Sequence, residues 1–203
     1  MEYKNTNSRH RGLIMIIIFP MTGPLFFEGK EFHYPKPLIE LHEKTLIEHA
    51  IDEYLDMPNV KFRFILKRDD DQRFQLSSVI KQAVKGLPVK IITVPGKTSG
   101  ALCSALMALM DEGGDKDEEV IISNYDQKFN IQLNVLIEDF RKNKPDFGLV
   151  SFDSIHPKWS YVRLDSEGTV CEASEKKPIS RTLYVDYTTS KIRRRSKLPL
   201  SIF

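Results

Sequence analysis

Residues 13–19, Leu-Ile-Met-Ile-Ile-Ile-Phe, followed by Pro20-Met21-Thr22-Gly23-Pro24, decide how this chain folds. A continuous apolar run rich in β-branched residues reads as a strand buried on both faces, since a half-solvated strand would alternate polar and apolar positions. With seven residues it is too short for a membrane helix, which needs roughly 20. Pro20 and Gly23-Pro24 are expected to end the strand.

Working outward, Thr45–Leu55 sets Leu46, Ile47, Ala50, Ile51, Tyr54 and Leu55 on one helical stripe, with Thr45 and Glu48 at capping-box spacing. A strand over Val60–Leu66 and a helix over about Asp71–Val84 follow. Val89–Val94 reads as a third strand, Gly100–Met110 as a helix opened by a glycine-containing turn, and Val120–Ser123 as a short buried strand. Ile131–Lys142 is amphipathic through Leu133, Leu136, Ile137 and Phe140, and Phe147–Phe152 is another strand. Trp159–Leu164 and Val170–Ala173 flank Ser166-Glu167-Gly168, the turn of a hairpin. This alternation predicts an α/β fold with a Rossmann-like, mostly parallel sheet, helices on both faces and right-handed crossovers. Ligands of such sheets bind in the loops leaving the carboxyl ends of the strands.

The 203 residues are 41% hydrophobic, enough for one sizeable core. Cys103 and Cys171 lie far apart with no CxxC spacing and no Cys/His cluster, which argues against zinc or a redox pair and for a reducing cytoplasm. The polar start carries no signal-peptide cleavage pattern. The net charge of +2 is unevenly distributed: residues 181–203 hold Arg181, Lys191, Arg193, Arg194, Arg195 and Lys197 against Asp186 alone, leaving 24 basic and 27 acidic residues in 1–180. The body therefore gives no general reason to expect a nucleic-acid surface or a membrane partner.

Several segments carry chemistry. The loop from Met21, Thr22 and Gly23 to Tyr34-Pro35-Lys36-Pro37 has backbone amides for phosphate and a lysine held between two prolines, or is a surface loop with a rigid turn. Pro95-Gly96-Lys97-Thr98-Ser99-Gly100-Ala101 brings small residues to a helix start but lacks Walker spacing, so it is a ligand turn or an ordinary one. Asp126, after the fourth strand, is a carboxylate for Mg²⁺ or a turn residue. The stretch from His156 through Trp159, Ser160 and Tyr161 suits a sugar ring or packs at an edge. Glu175, Lys176 and Lys177 offer an acceptor and cations, or form a solvated charge run.

Together the segments YPKPLIELHEKTLIEHAI (34–51), PGKTSGALCSALMAL (95–109), VIISNYDQ (120–127), VSFDSIHPKWSYVRLDSEGTV (150–170) and EASEKKPIS (172–180) resemble the nucleotidyl transferase family of nucleotide-sugar pyrophosphorylases, particularly its bacterial capsule and surface-polysaccharide members. The resemblance implies that residues 21–30 form the nucleotide loop, that Lys36 is the catalytic lysine at the phosphates, and that Thr98, Ser99, Gly100 and Ala101 form the base-contacting turn. It further implies Asp126 as the Mg²⁺ ligand, Trp159 and Ser160 against the sugar, and Glu175 with Lys176 at the sugar hydroxyl and phosphate, Lys177 leaving that register open by one residue. The implied reaction is attack of a sugar-1-phosphate oxygen on the α-phosphate of an NTP, releasing pyrophosphate. It relies on charge neutralisation and in-line positioning.

The chain also departs from the family. The usual GxGxR loop is replaced by Gly23-Pro24-Leu25-Phe26-Phe27, with no arginine between Gly23 and Lys36. A second metal-binding aspartate, placed downstream in the family, is not met before Phe203. Where the family continues into a strand like Gly-Leu-Tyr-Tyr-Phe-Lys, this chain has Asp186-Tyr187-Thr188-Thr189-Ser190-Lys191. The codons GGA-CTA-TAC-TAC-TTC-AAA read one base later encode Asp-Tyr-Thr-Thr-Ser. The expectation is a frameshift near Ser180, making 13–180 the domain, 181–203 a non-native basic tail and 1–12 a disordered extension. A basic tail for an anionic membrane or nucleic acid is the other reading of 181–203, and an incomplete sheet edge near 180 would invite self-association. Two other functions stay open: a non-catalytic nucleotide- or sugar-binding module, and a related glycosyltransferase. The latter would normally show a DxD motif, whereas Asp69-Asp70-Asp71 reads as helix-start capping.

Overall fold

The computed structural model describes residues 14–27, 34–110, 118–127, 132–143, 145, 147–153, 156, 159–180 and 182–191. The elements are β1 (Met15–Met21), a 3₁₀ turn (Lys36–Leu38), the short strands β2 (Glu40–Leu41) and β3 (Lys44–Thr45), α1 (Leu46–Asp52), β4 (Val60–Lys67), α2 (Arg68–Phe74), α3 (Leu76–Ala83) and β5 (Val89–Val94). Then come α4 (Ala101–Met110), β6 (Glu119–Ile122), α5 (Leu133–Asn143), β7 (Phe147–Asp153), β8 (Ser160–Leu164), β9 (Val170–Ser174) and β10 (Thr182–Lys191).

One sheet has the strand order β5-β4-β1-β6-β10-β8-β9, with β7 also pairing β10. β5, β4, β1 and β6 are parallel, and β10 joins β6, β7 and β8 antiparallel. The expected α/β sheet is therefore present, with a parallel half followed by an antiparallel half.

β1 is central, and its alternation shows why a continuous apolar run was needed. Ile17 and Phe19 face α1, α3 and α5 together with Tyr54, Phe62 and Phe64. Ile16 and Ile18 face α4 with Ile65, Ala105 and Ala108. Successive side chains of a strand point to opposite faces, so burying both requires an unbroken apolar sequence. The Phe19 and Phe64 rings stack at 4.9 Å. Arg141 of α5 binds the largely buried Glu119 at 2.7 Å, tying that helix to β6.

α1 begins at the expected capping box: the Glu48 amide donates to Thr45 Oγ1 (3.4 Å) and the Thr45 amide to Glu48 Oε2 (2.8 Å). Two local expectations are corrected. β1 runs through Pro20 to Met21. Met15 N–H donates to Asn59 O on the β4 side, so alternation turns the Pro20 nitrogen toward β6, whose ladder ends at Ile18. No ladder bond is lost there. The single helix expected over Asp71–Val84 is two helices broken at Gln75, which is left-handed (φ 55). The Asp71 carboxylate accepts from the Ser77 amide and hydroxyl, both at 2.7 Å, and so starts the second helix.

Within the stretch read as a basic tail, Thr182–Lys191 forms β10. Residues 1–12 and 192–203 lie outside the described residues. Among the described residues, no helix is long and apolar enough to cross a membrane.

Candidate functional site

The carboxyl ends of β1, β4, β5 and β6 share one edge because these strands are parallel. β1 pairs β4 on one side and β6 on the other. The loops leaving β1 and β6 therefore start side by side on that edge, the edge at which ligands of such sheets bind.

Met21 and Thr22 are buried, Met21 within the core. Gly23 follows exposed, with no atom within 4 Å of where a Cβ would stand. The loop closes on itself: the Lys36 amide donates to Leu25 O at 2.7 Å, and Leu25 is anchored in the core. Pro35 and Pro37 are buried on either side of half-buried Lys36, so the prolines fix its backbone as their spacing suggested. Its ammonium rests 4.6 Å from the centroid of the Phe27 ring. Phe26, beside it, meets Phe74 of α2 edge-on at 5.7 Å.

On the next loop, Gly100 has φ +125, a left-handed conformation that only glycine adopts without strain. Its carbonyl accepts the Ser104 amide, opening α4. Thr98 is half-buried, while Ser99, Gly100 and Ala101 are exposed at the helix start. Thr98 Oγ1 lies 2.8 Å from Thr22 Oγ1, so the structure joins two segments that are far apart in sequence.

After β6, a bond from Asn124 Nδ2 to Gln127 Oε1 (3.2 Å) closes a turn that leaves Asp126 exposed. Burial pushes the neighbouring Tyr125 phenol well above its usual range, and the carboxylates of Asp126 and Asp70 add to the effect. Asp70 thus belongs to the same edge, a neighbour that the sequence reading treated only as capping. Lys67 approaches it at 2.7 Å, an ion pair whose angle falls outside hydrogen-bond geometry. Among the described residues no group of three His, Cys, Asp or Glu side chains forms a metal cage. A lone exposed carboxylate does suit Mg²⁺, which is commonly held by one or two carboxylates plus waters and substrate phosphates.

Trp159, Ser160, Glu175 and Lys176 come together through the β8–β9 hairpin. Tyr161 pairs Ser174, so Ser160 and Glu175 face each other one step further on. The Trp159 ring packs edge-on against Phe152 at 5.4 Å, while Glu175 and Lys176 are exposed. The hairpin turn is the expected one, with Asp165 Oδ1 accepting from the amides of Glu167 (2.9 Å) and Thr169 (2.8 Å) around Gly168 (φ 80). β10 pairs Thr188 with Ile122 of β6 and Tyr184 with Ser160 of β8. Since β10 runs against β6, Ser160 lies past the carboxyl end of β6, across a stretch of β10 that is bulged between Tyr184 and Thr188. The hairpin end thus lies on the side of β6 from which its loop leaves.

This sheet, a parallel half followed by an antiparallel half, is a fold that the chain shares with solved nucleotide-sugar pyrophosphorylases. In particular, the chain is similar to the nucleoside-diphosphate-sugar pyrophosphorylase from Vibrio cholerae RC9, with TM-score 0.62 and 20% identity over 88% of this chain and 74% of that one. It is also similar to a Bacillus anthracis protein described as a glucose-1-phosphate thymidylyltransferase (TM-score 0.69, 14% identity, 89% and 72% of the two chains). A UDP-glucose pyrophosphorylase complexed with UDP-glucose matches with TM-score 0.66 and 12% identity over 88% and 76%. No family model matches the chain, and a search of curated proteins finds no match.

Proposed function

We propose that the chain is a sugar-1-phosphate nucleotidyltransferase, forming an NDP-sugar and pyrophosphate from an NTP and a sugar-1-phosphate, and acting in the cytoplasm in surface-polysaccharide biosynthesis. What supports this reading is that the loops carrying Lys36, Thr98–Ala101 and Asp126 follow the parallel strands β1, β5 and β6, and that the Ser160/Glu175 hairpin end lies beyond β6. In this reading Lys36 neutralises phosphate charge, and the amides of 22–23 and 98–101 receive the nucleotide. Trp159, Ser160, Glu175 and Lys176 orient the sugar phosphate so that its oxygen lies in line with the α-phosphate. Asp126 would hold Mg²⁺ together with the triphosphate; the ion supplies charge neutralisation and orientation there.

The test is pyrophosphate release with a panel of NTPs and sugar-1-phosphates in the presence of Mg²⁺. Turnover with any pair supports the proposal. Nucleotide binding without turnover supports a non-catalytic module instead, a second reading favoured by Phe26 and Phe27 standing where the family's loop carries an arginine. Transfer from an NDP-sugar donor would identify a glycosyltransferase.

A further inference from the structure

Thr22, at the end of β1, and Ser104, in the first turn of α4, are 4% and 0% exposed. Their hydroxyls lie 3.2 Å apart, and each also meets Thr98 Oγ1, at 2.8 and 2.7 Å. The three oxygens form a closed triangle. Each hydroxyl has one proton to donate and can accept, so three protons can serve all three edges. In the other arrangement within reach, Thr98 accepts from both neighbours and donates to Gly100 O at 3.1 Å. In both, two buried hydroxyls hold that of half-buried Thr98.

β4 lies between β1 and β5, so the loops leaving β1 and β5 share no ladder of their own. We infer that the Thr22–Ser104–Thr98 hydroxyl triangle couples these two loops across the end of β4, and that Ser104 is a positioning residue for the nucleoside triphosphate. This deepens the function proposed above and rests on it. Without the Ser104 hydroxyl, buried Thr22 loses a partner and Thr98 loses one of its two supports, so the 98–101 amides are no longer held in register with Thr22 and Gly23. A buried network with few members is sensitive to such a loss.

The experiment is calorimetry of the full chain with ATP, CTP, GTP, UTP and dTTP plus Mg²⁺, with folding of each variant checked by circular dichroism. Ser104→Ala and Thr22→Val are each expected to weaken binding of the preferred nucleotide about tenfold. Thr22→Ser, which keeps the hydroxyl and loses a buried methyl, is expected to bind within about twofold of wild type. The double variant Thr22→Val/Ser104→Ala is expected to be little weaker than either single one, because the triangle is broken only once. A wild-type chain that binds none of the five nucleotides overturns the proposed function and this inference with it. Wild-type binding with unchanged affinity in Ser104→Ala, a loss in Thr22→Ser as large as in Thr22→Val, or fully additive losses in the double variant overturns the inference alone.

Discussion

The Lys36 ammonium lies 4.6 Å from the centroid of the Phe27 ring, on the loop that leaves β1. A ring face orients a cation without neutralising it, unlike a carboxylate partner. Under the proposed function the ring aims the lysine while leaving its charge available for phosphate. Lys36→Ala should lower turnover by on the order of 10²–10³-fold while shifting stability by no more than about 0.5 kcal/mol. Phe27→Leu should cost roughly two- to fivefold in rate, and Phe27→Tyr should restore it. Steady-state pyrophosphate assays with thermal unfolding check all three; a wild-type rate in Lys36→Ala would remove the lysine from the mechanism.

Asp126 is the exposed carboxylate beside Tyr125 at the end of β6. Asp126→Ala should abolish Mg²⁺-dependent turnover and leave the fold intact. Titrating rate against Mg²⁺ tests it, and an Mg²⁺ dependence identical to wild type would show that the ion is held elsewhere.

Glu175 faces Ser160 across the hairpin end, on a different element from the β1 and β5 loops assigned to the nucleotide. Glu175→Gln should raise KM for the sugar-1-phosphate about tenfold with little change in KM for the NTP. The opposite pattern would move Glu175 to the nucleotide half.

The Thr45 amide and hydroxyl hold the Glu48 carboxyl below its ordinary value of 4.5. A carboxyl depressed by folding stabilises the native state above its unfolded pKa and loses that contribution as pH falls through the lower folded value. Thr45→Ala should therefore cost about 1 kcal/mol at neutral pH, a deficit that narrows below pH 4.5. Urea unfolding at pH 7 and pH 3 measures it; a deficit unchanged at acid pH would mean that the charge on Glu48 does not matter.

Gly148 of β7 lies directly under the Phe140 ring of α5, where an added Cβ would overlap the ring. Gly148→Ala should destabilise the protein by about 1–3 kcal/mol through overpacking, and adding Phe140→Leu should recover part of that loss. Equal stability of Gly148→Ala and wild type in denaturant unfolding would show that the helix shifts without cost.

The sequence by itself determined the elements whose cause is local. The unbroken apolar run 13–19 required a strand covered on both faces, Thr45 and Glu48 announced the start of α1, and Ser166-Glu167-Gly168 marked the β8–β9 turn. Each depends on periodicity or on a pair a few residues apart. The break at Gln75 was not legible, because a left-handed glutamine is held there by Asp71 reaching forward to Ser77 rather than by a glycine. Pro20 inside β1 depended on where the β6 ladder stops, which no local pattern records. Only the tertiary structure decided which distant segments meet. It set Thr22 against Thr98 and Ser104, brought Asp70 to the same phenol as Asp126, and used β10 to carry the Ser160/Glu175 hairpin end past β6. These relations join residues that are distant in sequence, and strand order and register, not hydrophobic period, create them.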